Sequence, residues 1–73
     1  MSNTYNVTLS NGKTITRKTN TTYTHAAIKV DGNGKEVVSF HASYELAVKG
    51  AEQSIEKQKY LEDGIKSYTV VAL

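Results

Sequence analysis

Residues 37–51, VVSFHASYELAVKGA, decide the fold because their spacing changes from that of a strand to that of a helix within a few positions. Val38 and Phe40 lie two residues apart and predict the end of a core strand. Ser43 is a suitable N-cap, and the helix dipole favours Glu45 in the first turn. His41 stands between the two elements, and we interpret it as a corner residue rather than as a catalyst.

The helix is predicted to run from Tyr44 to the LEDG segment, where Gly64 would end it. Its sheet-facing side is made largely of small residues, which let the helix axis lie close to a sheet. The predicted members of this side are Ala47, Gly50, Ala51, Ser54, Ile55, Gln58 and Leu61. Tyr44 is expected to pack on the sheet, and residues 65–73, IKSYTVVAL, are predicted to form a closing strand.

Two Asn-Gly turns upstream predict two β-hairpins. In VTLSNGKTIT (7–16), a three-residue turn with Gly12 at positive φ would set Leu9 opposite Ile15. In the second hairpin, DGNG (31–34) connects TYTHAAIKV (22–30) to KEVVSF (35–40), and the core pattern pairs Ile28 with Val38. The same register places His25 opposite His41 on the other face.

These elements predict an α+β fold. We expect an antiparallel sheet of four to five strands packed against one long helix, in the order β-β-β-β-α-β. Residues 13–30 form either two strands or one long bent strand. The chain, residues 1–73, is predicted to be a single domain.

Composition limits both stability and location. A chain of 73 residues without cysteine has neither disulfides nor thiolate metal sites, so its core must suffice alone. At typical per-residue values this gives roughly 4–11 kcal/mol of stability. The N-terminus has no basic start followed by an apolar run, and no segment approaches a membrane span. We therefore expect a soluble cytoplasmic protein without membrane contact.

Charge divides the chain into two parts. Residues 1–35 carry five basic side chains against Asp31, whereas residues 36–73 carry four lysines against five glutamates and Asp63. Such a separation can orient a protein toward its partner. The basic residues of the hairpins are consistent with nucleic-acid binding and equally with the protection of strand edges. The acidic helix side, which includes Glu52 and Glu56, has interleaved lysines and is typical of a solvated face.

The sequence does not indicate catalysis. The two histidines are too few for a structural zinc site, and the glycines of DGNGK lack the strand-to-helix context of a phosphate-binding loop. We therefore predict no enzymatic activity, no catalytic or metal-binding residue and no cofactor. Five tyrosines exceed what so small a core can hold, which indicates that some contact a partner. The predicted partner-binding residues are Arg17, Lys18, Tyr23, His25, Lys29, His41, Glu52, Glu56 and Tyr60.

Residues 24–55 resemble the strand-turn-strand-helix unit of phage integrase arm-binding domains and plant ethylene-response-factor domains. The shared features are the Gly-Lys turn, the SF that ends the strand and the S-x-E-x-A at the start of the helix. The resemblance implies DNA recognition by a sheet in the major groove. That family uses Arg and Trp side chains for it, whereas this segment contains no Trp and offers Lys29 and Lys35. The same stretch also resembles the second half of a double-stranded-RNA-binding domain.

The whole chain resembles, in size and pattern, the small accessory proteins of bacteriophages, including the anti-CRISPR type. This resemblance implies a stoichiometric inhibitor that blocks a host defence protein or nucleoprotein complex in the bacterial cytoplasm. A small DNA- or RNA-binding module that uses the basic hairpins is the first alternative. A self-associating structural subunit, such as a homodimer paired through strand edges, is the second.

Overall fold

A computed structural model describes residues 2–73; Met1, which the predicted domain includes, lies outside the described residues. Five strands and one helix follow the predicted order. They are β1 (Asn3–Thr8), β2 (Thr14–Thr19), β3 (His25–Asp31), β4 (Glu36–His41), α1 (Tyr44–Gln58) and β5 (Ile65–Ala72). The α+β class and the antiparallel pairing are confirmed.

The strands form two sheets, so the prediction of one sheet with four to five strands is wrong. β1 and β2 pair only with each other, and the second sheet has the order β4-β3-β5. The physical reason is that α1 covers only one face of the three-stranded sheet. The β1–β2 hairpin buries its apolar side chains against the other face, which edge pairing would have left open to water. We call these the helix-covered face and the hairpin-covered face.

The core consists of two small clusters on opposite faces of the three-stranded sheet. On the hairpin-covered face, Val7, Ala26 and Phe40 are buried and are surrounded by Tyr5, Ile15, Tyr23, Ile28, Val38 and Val71. On the helix-covered face, Ala27, Ala47 and Ala51 are fully buried, with Tyr68 and Val70 beside them. The alanines keep α1 close to the sheet, as the small-residue pattern predicted.

The hairpin registers match the sequence prediction in one case and differ in the other. Ile28 pairs with Val38, and His25 pairs with His41, as predicted. In the first hairpin Ile15 lies opposite Val7 rather than Leu9. The three-residue turn and the positive φ of Gly12 are present. However, Leu9 N donates to Lys13 O, so Leu9 lies opposite Lys13 rather than opposite Ile15. Leu9 and Ile15 still share a face, because a shift of two residues preserves side-chain alternation.

The helix begins as predicted and ends earlier. Ser43 Oγ accepts from Leu46 N at 3.2 Å, which confirms the cap. At the other end, Gln58 Oε1 accepts from Ile65 N at 3.0 Å, and residues 59–64 form a turn instead of a further helical segment. Gly64 does not have positive φ, and a Cβ on it would overlap the backbone carbonyl oxygen of Gln58. Gly64 is therefore needed for close approach rather than as a left-handed helix end.

Candidate protein-binding surfaces

The nine predicted partner-binding residues lie in separate parts of the molecule. His25, Lys29 and His41 share the helix-covered face, because alternate residues of a strand lie on one face and His25 pairs with His41. Glu56 and Tyr60 lie near the end of α1. Glu52 lies over β5, whereas Arg17, Lys18 and Tyr23 belong to the first hairpin and the loop that follows it.

The histidine pair is held by local contacts. His25 Nδ1 lies 2.8 Å from Thr24 Oγ1, and its ring meets the edge of Tyr44 with centroids 5.6 Å apart. Tyr44 is more than half exposed, and its ring meets the sheet only at His25, at the beginning of β3. Among residues 2–73, no three His, Cys, Asp or Glu side chains are grouped so that they could hold a metal ion.

His41 is packed between β4 and α1. Its Nε2 lies 2.7 Å from Ser39 Oγ, and a Cβ on Gly50 would lie 3.1 Å from its Cε1. The glycine therefore allows the imidazole to lie against the helix. Partial burial, and then the positive charge of Lys29, lower the pKa of His41. The neutral ring is the form that this position favours.

The two predicted helix carboxylates have partners within the chain. Glu52 Oε1 accepts from Tyr68 Oη at 3.3 Å, and burial followed by the Glu52 carboxylate raises the pKa of Tyr68. Glu56 forms an exposed ion pair with Lys59 at 2.8 Å. Pairs of this kind contribute about 0–1 kcal/mol. Their arrangement is that of a solvated helix face.

The basic residues of the first hairpin do not form one surface. Arg17 lies opposite Tyr5, on the side that packs on the sheet, and its guanidinium lies 5.0 Å from the centroid of the Phe40 ring. Lys18 points to the opposite side of the hairpin. Tyr23 belongs to the aromatic cluster, and its backbone N–H donates to Tyr5 Oη at 2.8 Å.

Two exposed large apolar side chains lie just after α1, and one of them, Tyr60, is the most exposed of this kind in the described residues. Tyr60 is 84% exposed and Leu61 is 53% exposed, and we call these two side chains the Tyr60–Leu61 patch. Lys59 Nζ lies 5.3 Å from the centroid of the Tyr60 ring. Beside the patch is an open concavity of about 770 Å³, lined by Gly32, Asn33 and residues 60–63. Sequence reasoning identified Tyr60 but missed Leu61, which it placed on the inner side of the helix.

Backbone contacts fix the turn that carries this patch. Leu61 N donates to Gln58 O at 3.0 Å, and Gly64 N donates to Leu61 O at 3.2 Å. Gly32 N, from the β3–β4 turn, donates to Gly64 O at 2.9 Å. Lys66 Nζ also donates to Leu61 O. The two turns therefore support each other at this end of the molecule.

Two further apolar side chains, one on β4 and one on α1, are exposed. Val37 is 41% exposed and Leu46 is 51% exposed. A shallow concavity of about 420 Å³ lies between β4 and α1 and is lined by His41, Leu46, Lys49, Gly50 and Gln53. Of the residues in this region, His41 was predicted to bind a partner, whereas Val37 and Leu46 were not.

Comparisons with protein families, with curated proteins and with solved structures found no significant match to this chain. Within residues 2–73, no helix is long and apolar enough to cross a bilayer.

Proposed function

We propose that this chain is a non-enzymatic binding protein that acts by occupying a surface of another protein. The observation that carries the proposal is the Tyr60–Leu61 patch, where a tyrosine and a leucine stand exposed on a turn held by backbone hydrogen bonds. Tyrosine is enriched among the residues that dominate protein–protein binding energy, because its ring supplies contact area while its hydroxyl tolerates water.

The fixed turn favours binding because less conformational entropy is lost when a preorganised segment meets its partner. Glu56, Lys59, Glu62 and Asp63 surround the patch with charges of both signs. An apolar centre with a polar rim is typical of a protein–protein interface.

We further propose that the partner is a host protein or nucleoprotein complex and that the chain is a phage-encoded inhibitor in the bacterial cytoplasm. Support for this more specific proposal comes from the size and pattern shared with small phage proteins of the anti-CRISPR type. A stoichiometric inhibitor needs a stable binding surface, and the Tyr60–Leu61 patch would supply it.

The test is a pull-down from bacterial lysate combined with a phage assay. The wild-type chain, the double variant Tyr60→Ser/Leu61→Ser and the control Leu73→Ser are compared. Leu73 is 41% exposed at the opposite end of the last strand, so its replacement removes an apolar side chain away from the patch. We expect wild type and control to retain the same host protein and to restore phage growth in cells with an active CRISPR–Cas system. We expect the double variant to do neither.

Two results would contradict the proposal. If no host protein is retained, the chain is not an inhibitor that acts by binding. If the double variant retains the partner as well as wild type does, the patch is not the binding surface.

A further inference from the structure

The outer edge of β4 is unpaired. β4 lies at one side of the β4-β3-β5 sheet and has β3 as its neighbour. Asp31 N donates to Lys35 O at 3.0 Å, which fixes the alternation of hydrogen bonds along the β3–β4 pair. The backbone N–H and C=O groups of Glu36, Val38 and Phe40 consequently point away from β3. Such a row of free groups can pair with an additional strand.

A groove runs beside this edge on the helix-covered face. α1 packs mainly on β5 and β3 and less on β4, so the margin above β4 stays open. The 420 Å³ concavity at His41 and Gly50 lies between strand and helix, with Leu46 exposed at its lining, and Val37 is exposed farther along β4 on the same face. We call this region the β4 groove. A strand added to β4 would direct every second side chain into it.

Three lysines lie along the β4 groove, and the acidic side chain nearest to them on α1 is Glu45, one turn before Lys49. Lys29 and Val37 are cross-strand partners on the helix-covered face, Lys35 continues the same alternation in the turn, and Lys49 lines the concavity from α1. The two nearest carboxylates on the strands are occupied elsewhere. Asp31 Oδ1 accepts from the backbone N–H groups of Asn33 and Lys35, and Glu36 lies on the opposite face, where it accepts from Ser10 Oγ.

We propose that the β4 groove binds an extended acidic peptide segment of a partner protein, which adds to the sheet as a strand beside β4. The main-chain groups of the edge supply hydrogen bonds, and alternate carboxylates of the peptide meet the lysines. The other side chains of the peptide lie on the hairpin-covered face, near Val38 and Phe40. This surface is separate from the Tyr60–Leu61 patch, so the two proposals are tested independently.

The occupant is a peptide rather than nucleic acid because the free main-chain groups of an edge strand match those of another strand. A second copy of the chain is less suitable. Pairing of two β4 edges would bring Lys35 and Lys49 of both copies to one interface, and like charges at close range disfavour it.

The experiment is an NMR titration of the ¹⁵N-labelled chain with the capped peptide TEVEVET, in which all glutamates share one face. We expect saturable shifts of the Glu36, Val38 and Phe40 amides, together with slower hydrogen exchange at these three positions. Lys49→Glu should weaken binding about fivefold, the effect of a surface charge contact. Lys18→Glu, which makes the same charge change on the outer side of the first hairpin, should leave the affinity unchanged.

The proposal is overturned if the three amides do not respond to the peptide, or if the basic counterpart TKVKVKT shifts them equally. Equal shifts with oligothymidylate would assign the groove to nucleic acid. Shifts that depend on protein concentration alone would assign it to a second copy. Either result would overturn the proposal.

Discussion

Gly32 in the β3–β4 turn lies against the backbone carbonyl of Glu62 in the turn after α1. A Cβ on Gly32 would overlap this oxygen, and Gly32 N donates to Gly64 O at 2.9 Å. The contact joins two turns that are 30 residues apart in sequence, and it holds the segment that carries Tyr60 and Leu61. The groups in contact belong to the backbone of both turns, so neither group can move unless its whole turn moves.

Gly32→Ala should therefore destabilise the fold by about 1–3 kcal/mol, the usual cost of inserting atoms into a close-packed site. Urea unfolding measures the loss, and the amide shifts of residues 59–64 report the displaced turn. Asn33→Ala, an exposed replacement in the same turn, is the matched control. Equal stability of Gly32→Ala and wild type would show that the two turns are not in contact.

Gly50→Ala should have the opposite effect. Its Cβ would meet His41 Cε1 at 3.1 Å, and this neighbour is a side chain that can shift by a few tenths of an ångström. Alanine favours a helix interior over glycine by about 0.8–1.0 kcal/mol. We expect a more stable variant with displaced His41 resonances. A loss of stability would mean that the imidazole cannot give way.

Phe40→Ala should separate the two sheets. Phe40 contacts Tyr5 and Tyr23 with ring centroids 6.2 and 5.8 Å apart, and it joins the first hairpin to the three-stranded sheet. Truncation of a buried phenylalanine costs about 3–5 kcal/mol. The amides of β1 and β2 should move most in NMR spectra, while those of α1 change less. Phe40→Leu is the control with a smaller loss, and unchanged β1 and β2 amides in Phe40→Ala would contradict this role.

The stability of the wild-type chain should fall at mildly acid pH because of His41. Its pKa in the folded state is lowered from 6.5, so the unfolded chain binds a proton more readily. The contribution of the neutral His41 ring to the free energy of unfolding is complete above pH 6.5. It is lost as the pH falls through the lower pKa that His41 has in the folded state. Urea unfolding at several pH values, compared with His41→Asn, isolates this effect. An NMR titration that gives His41 a pKa at or above 6.5 would refute it.

Nucleic-acid binding should be weak, because Arg17 and Lys18 lie on opposite sides of the first hairpin. We expect fluorescence anisotropy with a labelled duplex to show no specific binding at physiological salt. The double variant Arg17→Glu/Lys18→Glu should behave as wild type does under these conditions. Tight binding that this variant abolishes would favour the nucleic-acid alternative over a protein partner.

Local chemistry was sufficient to predict the elements and one register. Ser43 caps the helix, Gly12 takes positive φ in the first hairpin turn, and the apolar phase of β3 and β4 places His25 opposite His41. Each of these features depends on residues near one another in sequence, or on an alternation that one strand imposes on the next. The predicted partner of Ile15 was wrong by two residues. The apolar pattern cannot distinguish the two registers, because both put the same side chains on one face.

Only the tertiary structure decided how these elements assemble and which apolar side chains stay exposed. The first hairpin lies across the sheet rather than along its edge, because its face of Tyr5, Val7 and Ile15 fills the side that α1 leaves open. The helix ends at Gln58 because the Gln58 side chain accepts a hydrogen bond from Ile65 N. Gly64 must also lie close to the backbone carbonyl oxygen of Gln58. Leu61 thereby leaves the predicted inner side of the helix. The sequence by itself determined the local turns, the helix cap and the side-chain alternation. The division into two sheets and the exposed surfaces were decided by the packing of the first hairpin and of α1 on the two faces of the three-stranded sheet.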